Sequence, residues 1–170
     1  MDFSGCQLQL RQNCELIREL VADISPEQAR RKPTPDDWSV LEVINHLYDE
    51  EREDFRQRFD YLLHRPGEPW PPIDPQGWVT ERHYNERDLS TSLQNFLDER
   101  QKSLTWLATL PNPALDAHEI HPVAGKFHAG DMLAAWVAHD VLHLRQLIEL
   151  KYFLLVELVR PYNPQYAGDW

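Results

Sequence analysis

The 170-residue chain predicts an all-α fold, a four-helix bundle. Three observations carry this expectation. Apolar residues recur at the 3–4-residue spacing of an amphipathic helix in four long segments. No segment shows the period-two alternation of a half-buried strand. A proline-rich connection between the second and third segments is too long for a tight helical hairpin, so the helices it joins can run parallel. The length suits one domain spanning 1–170, large enough to bury a core.

The first helix is expected from Gln7 to Asp23, where Leu10, Cys14, Ile17, Val21 and Ile24 form its apolar stripe. A linker from Ser25 to Asp37 follows, broken by Pro26, Pro33 and Pro35. The second helix starts at Ser39, with Glu42 as capping-box partner and Trp38 placed to staple onto Val43, and runs to about Leu63. In the 66–78 connection, Pro66, Pro69, Pro71, Pro72 and Pro75 alternate with Trp70 and Trp78. Those aromatics suit either a substrate lid or a cover for the core. The third helix fits Asp88 to Leu110 through Leu89, Leu93, Phe96, Leu104 and Leu107, and Pro111 and Pro113 end it. Ala114 to Phe127 has the composition of a loop. The fourth helix spans Ala129 to Val159 and stops before Pro161. The tail from Tyr162 to Trp170 carries aromatics that can pack onto the bundle or onto a second subunit.

A net charge of -11 argues against nucleic acid, because phosphate binding draws its affinity from Lys and Arg and no basic stripe is present. An anionic membrane surface is disfavoured for the same reason. No apolar run is long enough to span a bilayer, and Asp2 after Met1 is wrong for an export signal, so the cytoplasm is the expected compartment. Cys6 and Cys14 would sit about 12 Å apart along one helix, too far for a disulfide, and read as free thiols. A small molecule is the expected partner.

The chemistry lies in the histidines. His139 and His143 are four apart and share one helical face, where they can grip one metal ion. His46, from the second helix, would complete a three-nitrogen site with an open position for water or substrate. Chance alone yields about 0.4 His-x-x-x-His pairs in this composition, so the pair is weak by itself. At 100° per residue, His143 lies roughly 80° and His139 roughly 120° from the apolar centre of their helix. His46 falls further out, where periodicity alone reads it as solvent-exposed. A site built from these three must therefore open at the bundle's edge. His118 and His121, beside Pro122, and His64, His83 and His128 read as non-ligating; at the start of the fourth helix, where His128 stands, Ser or Thr would cap better.

Asp140 points towards the apolar centre, and a buried carboxylate needs a partner. It would accept a bond either from a ligating imidazole or from a Trp or Tyr. Asp49 and Glu50, one turn beyond His46, are candidate general bases, although Asp49-Glu50-Glu51-Arg52-Glu53-Asp54 also reads as an exposed charge run.

Two blocks resemble the DinB-like (YfiT-like) superfamily of metal-dependent enzymes. One is Trp38-Ser39-Val40 leading through Asn45-His46-Leu47 to Asp49. The other is Gly130-Asp131-Met132-Leu133-Ala134-Ala135-Trp136 leading to His139-Asp140-Val141-Leu142-His143-Leu144-Arg145-Gln146-Leu147. The resemblance implies an up-down-down-up bundle, usually a homodimer, with one divalent ion, commonly nickel or zinc, held by His46, His139 and His143. It also implies a thiol-dependent S-transferase that uses a low-molecular-weight thiol as cosubstrate against a small electrophile. Metal-dependent hydrolysis is the alternative chemistry, and a non-catalytic bundle that binds metal or a small ligand is the alternative class. His128 departs from the family pattern, which tends to place Thr or Ser there.

Overall fold

The computed structural model describes residues 1–121 and 125–169; Pro122 and Trp170 lie outside them. Four long helical stretches make up the bundle. Helix α1 (Phe3–Val21) begins four residues earlier than its apolar stripe suggests, because the Asp2 carboxylate caps it by accepting the Gly5 N–H at 2.9 Å. Helix α2 (Val40–Glu50) opens on the expected capping box. Ser39 Oγ accepts the Glu42 N–H at 3.2 Å while Glu42 accepts the Ser39 N–H at 2.8 Å. A five-residue π-helical turn, Glu51–Phe55, then leads directly into α3 (Arg56–His64). Such wide turns shift side-chain register inside an otherwise regular helix.

The proline-rich connection holds a short helix, α4 (Pro75–Glu81), capped by Asp74 and with proline at its first turn, where a missing N–H costs nothing. Trp78 and Val79 from α4 form a buried cluster with Tyr84, against which Trp38 and Ile73 pack. This cluster lies on α2 and closes its outer side. Helix α5 (Leu89–Leu107) is capped by Asp88, and α6 (Ala129–Leu158) is the longest.

One expectation is overturned. The stretch read as loop contains an antiparallel hairpin of β1 (His118–His121) and β2 (Gly125–His128), in register His118↔His128. Each strand has only four residues, too few for an alternation pattern to register. Ala129 and Gly130 donate their N–H groups back to Ala117 and Leu115, so the hairpin is tied to the start of α6. His128 stands at the N-cap of α6, but the Asp131 carboxylate closes this end: the His128 backbone N–H donates to Asp131 Oδ2 at 2.9 Å, and the ring Nδ1 lies at the same distance from that oxygen.

Two further apolar clusters fill the interior of the bundle. One gathers Ile17, Val21, Val43, Leu47, Phe96 and Leu147; the other gathers Leu10, Phe59, Leu107, Leu133 and Trp136. Between them, each of the four long helical stretches contributes a buried polar residue: Asn13, Glu51, Arg100 and Asp140. Arg100 Nε and Nη2 donate to Glu51 at 2.9 and 2.8 Å, and its Nη1 and Nη2 donate to Asp140 at 2.7 and 2.8 Å. Arg100 Nη1 also reaches the Leu10 carbonyl, Asn13 donates to Asp140, and the Trp136 indole donates to Glu51. A buried charge survives only when paired and hydrogen-bonded, and here the donors and carboxylates answer one another. Among the described residues, no helix is long and apolar enough to cross a membrane.

Candidate metal centre

His46 comes from α2 and His139 and His143 from α6, and the three rings meet at the edge of the polar layer. His139 Nε2 lies 3.1 Å from His46 Nε2 and 3.1 Å from His143 Nε2. Among the described residues these three are the only group of potential ligands close enough to share one ion. The fit can be tested from the separations. Two nitrogens 3.1 Å apart, each at the usual 2.0–2.1 Å from a common ion, subtend roughly 98°, between the octahedral and tetrahedral angles.

The donor chemistry agrees. Gln146 Oε1 lies 2.8 Å from His143 Nδ1, and a carboxamide oxygen only accepts; Nδ1 therefore carries the proton and Nε2 keeps its lone pair. Burial, and then the neighbouring His143, lowers the His46 pKa to about 3; burial and the two other imidazoles lower that of His139 to about 2. His143 is lowered as well, chiefly by burial. The three rings are thus neutral at physiological pH, the state in which imidazole ligates. Aromatic walls hold them. The Trp38 ring lies parallel to His143 at 6.2 Å and 4.8 Å from His46, and Phe55 from the π turn stands 4.8 Å from His139.

The site opens into a cavity of about 630 Å³ lined by the three histidines, Trp38, Glu50, Gln146 and residues of the 36–37 and 75–76 segments. The connection thus divides its work: Pro75 and Gln76 edge the cavity, while Trp78 is buried in the cluster covering α2.

Several sequence expectations change here. His46, read as solvent-exposed, is 4% exposed, because the Trp38 ring and the imidazoles of His139 and His143 enclose it. The acidic run after it is not a solvated face either: Asp49, Glu50, Glu51 and Asp54 are all buried. Asp49 is enclosed by Tyr84 Oη at 2.5 Å, Arg82 Nη1 at 2.6 Å and Arg52 Nε at 3.0 Å, which occupy both its oxygens. Glu50 lines the cavity, and its Oε1 has no hydrogen-bond partner among the described residues. Burial and the nearby Asp54 push its pKa up to about 8. Asp140 is buried as expected, but its hydrogen bonds go to Arg100 and Asn13 instead of an imidazole or indole. It buttresses the helix turn that carries His139.

Gln146, Trp38 and Arg100 escaped sequence reasoning as parts of the site and its support. Gln146 stands three residues after His143, a spacing that shares a face. Arg100 lies four residues from both Phe96 and Leu104, on the apolar stripe of α5, which is the same anomaly that singled out Asp140. Cys6 and Cys14 are unpaired, and burial pushes the Cys14 thiol up to about 11, so it holds no reactive thiolate.

A four-helix bundle with three convergent histidines at its edge is the class this architecture defines. Residues 9–147 match the model of the DinB superfamily, and the chain belongs to that superfamily. Its fold is also that of YfiT from Bacillus subtilis, described as a probable metal-dependent hydrolase with an unusual four-helix bundle topology. The two align with a TM-score of 0.78 over 89% of this chain and 87% of that one, at 20% identity. No curated protein matches the chain in sequence.

Proposed function

We propose that this protein is a metal-dependent enzyme acting on a small molecule, with one divalent ion, nickel or zinc, held by His46, His139 and His143. The convergence of three neutral imidazole nitrogens at 3.1 Å spacing carries the reading. Bound there, the ion supplies Lewis acidity that draws a proton from a thiol or a water near neutral pH. Gln146 holds His143 in the ligating tautomer, and Trp38 and Phe55 fix the ring planes. Glu50 holds a proton against the cavity at neutral pH and is placed to exchange it with the substrate, whereas Asp49 is consumed by its own ion pairs.

The reaction we favour is thiol-dependent S-transfer to a small electrophile, with a low-molecular-weight thiol as cosubstrate. Neither cysteine of the chain lies at the site, so the thiol comes from outside. Hydrolysis is the second reading, favoured by the description of YfiT. We also read the helix order as up-down-down-up. The pairs Asn45–Ser92, Glu51–Arg100 and Arg56–Ser103 advance together along α2/α3 and α5, as do Asn13–Asp140 and Asp23–Lys151 along α1 and α6. A homodimer suits the exposed Val141, Ile148 and Leu155, spaced seven apart on α6. The free thiols suit the cytoplasm, and the acidic charge suits neither nucleic acid nor membrane.

Elemental analysis of the purified protein beside the triple variant His46→Ala/His139→Ala/His143→Ala is the test. About one equivalent of divalent metal, lost in a variant that stays helical, is expected. Turnover of candidate electrophiles with and without added thiol then separates transfer from hydrolysis. A wild-type protein that takes up no metal on reconstitution refutes both and leaves a non-catalytic bundle.

A further inference from the structure

The metal-site cavity does not end at the histidines. A second cavity of about 570 Å³ adjoins it and shares Asp37, Trp38, Gln146 and Glu149 as lining. Its remaining wall comes from Pro33, Leu150, Tyr152, Phe153 and Val156, a predominantly apolar and aromatic surface between the linker before α2 and the C-terminal half of α6. Trp38 is the common partition, its ring parallel to that of His143. Both cavities fall within the volume range of small-molecule sites, and the second also has their mostly apolar wall.

Carboxylates outnumber cations along this groove. Asp36, Asp37 and Glu149 line it, and Arg145 is its only lining cation among the described residues, 3.5 Å from Glu149. Glu50, protonated at neutral pH, adds no charge but offers a buried oxygen, Oε1, that has no partner among the described residues and can accept an N–H. Aromatic faces next to these carboxylates also attract cations, as Arg31 already demonstrates by placing its guanidinium 5.5 Å from the centre of the Phe153 ring. An anionic ligand would meet carboxylates and the negative faces of the rings; an ammonium is matched by both.

We propose that the groove selects a small organic ammonium with an apolar or aromatic body. The body lies along Pro33, Phe153 and Val156, and the cationic group lies by Asp36, Asp37 and Glu149, which leaves the far end of the molecule at the histidines. This deepens the proposed function by naming a substrate class, and it rests on that reading only for what happens at the histidine end.

The test uses the full-length, zinc-reconstituted protein and a matched pair of probes, 3-phenylpropylammonium and 3-phenylpropionate, titrated by ligand-observed NMR and Trp fluorescence. The ammonium is expected to bind about tenfold or more tightly than the carboxylate, since like charges set against one another are strongly penalised. Asp36→Asn/Glu149→Gln should shrink that preference several-fold, while Phe153→Ala should weaken both probes. Equal or tighter binding of the carboxylate, failure of both probes to bind, or wild-type behaviour in both variants overturns the proposal. Zinc content is measured on the same samples. A charge preference without bound zinc defeats the metal reading and leaves the groove standing, and bound zinc without a charge preference does the reverse.

Discussion

Replacing Arg100 by Met should be among the most damaging single changes in this protein. The guanidinium is wholly buried and makes five hydrogen bonds, two to Glu51, two to Asp140 and one to the Leu10 carbonyl. Methionine fills similar space but strands two buried carboxylates and orphans a carbonyl. Breaking a buried pair from one side costs roughly 3–5 kcal/mol, because the charge left behind is uncompensated. In a domain of this size each kcal/mol moves the melting temperature by about 2–4 °C, so a fall of roughly 6–20 °C is expected. Urea titration followed by circular dichroism reads the loss directly. Adding Glu51→Gln and Asp140→Asn to Arg100→Met should recover at least about 1 kcal/mol, the signature of coupled sites. A loss below about 1 kcal/mol for Arg100→Met alone, or no recovery in the combined variant, refutes the view that this layer is held by mutual charge compensation.

Other perturbations reach the site and its supports. Gln146→Leu removes the acceptor that orients His143 and should weaken zinc binding by about 10–100-fold with little change in helical content, measured by competition against a chromogenic chelator. Glu50, raised from its ordinary 4.5 to about 8, favours folding most below pH 4.5 and loses that contribution as pH rises through 8. Stability of the wild type relative to Glu50→Gln should therefore fall between about pH 5 and about pH 8.5, and a flat difference would contradict the buried neutral carboxyl. Ser39→Ala removes the α2 cap and the bond from Ser39 Oγ to Asn85, and should cost about 0.5–2 kcal/mol in the same urea assay.

Much of this architecture is legible in the order of residues. The Ser39–Glu42 capping box, the stripes of α1 and α5 and the proline stops are local signals, each set by residues within one or two turns. The His139–His143 pair is of the same kind, since four-residue spacing on a helix is a geometric certainty. The hairpin escaped because its strands are short, and the π turn because its sequence, Glu51–Phe55, differs little from that of a polar helical turn.

The burial of His46 and of the acidic run was illegible for another reason. Periodicity assumes that a helix has one buried face, and it places polar residues on the other. Here Trp38 and the α6 imidazoles enclose His46, Tyr84 and Arg82 enclose Asp49, and Arg100 and Trp136 enclose Glu51; where these partners lie depends on how distant segments fold back, which no local pattern records. The sequence alone therefore determined where the helices run and which residue types could ligate, because both follow from short-range spacing. Only the tertiary structure decided that three imidazoles meet at 3.1 Å, that Asp140 is matched by Arg100 instead of a histidine, and that Glu50 and not Asp49 faces the cavity. Those outcomes are set by contacts between residues dozens of positions apart, where packing and desolvation choose among partners that the chain order leaves equal.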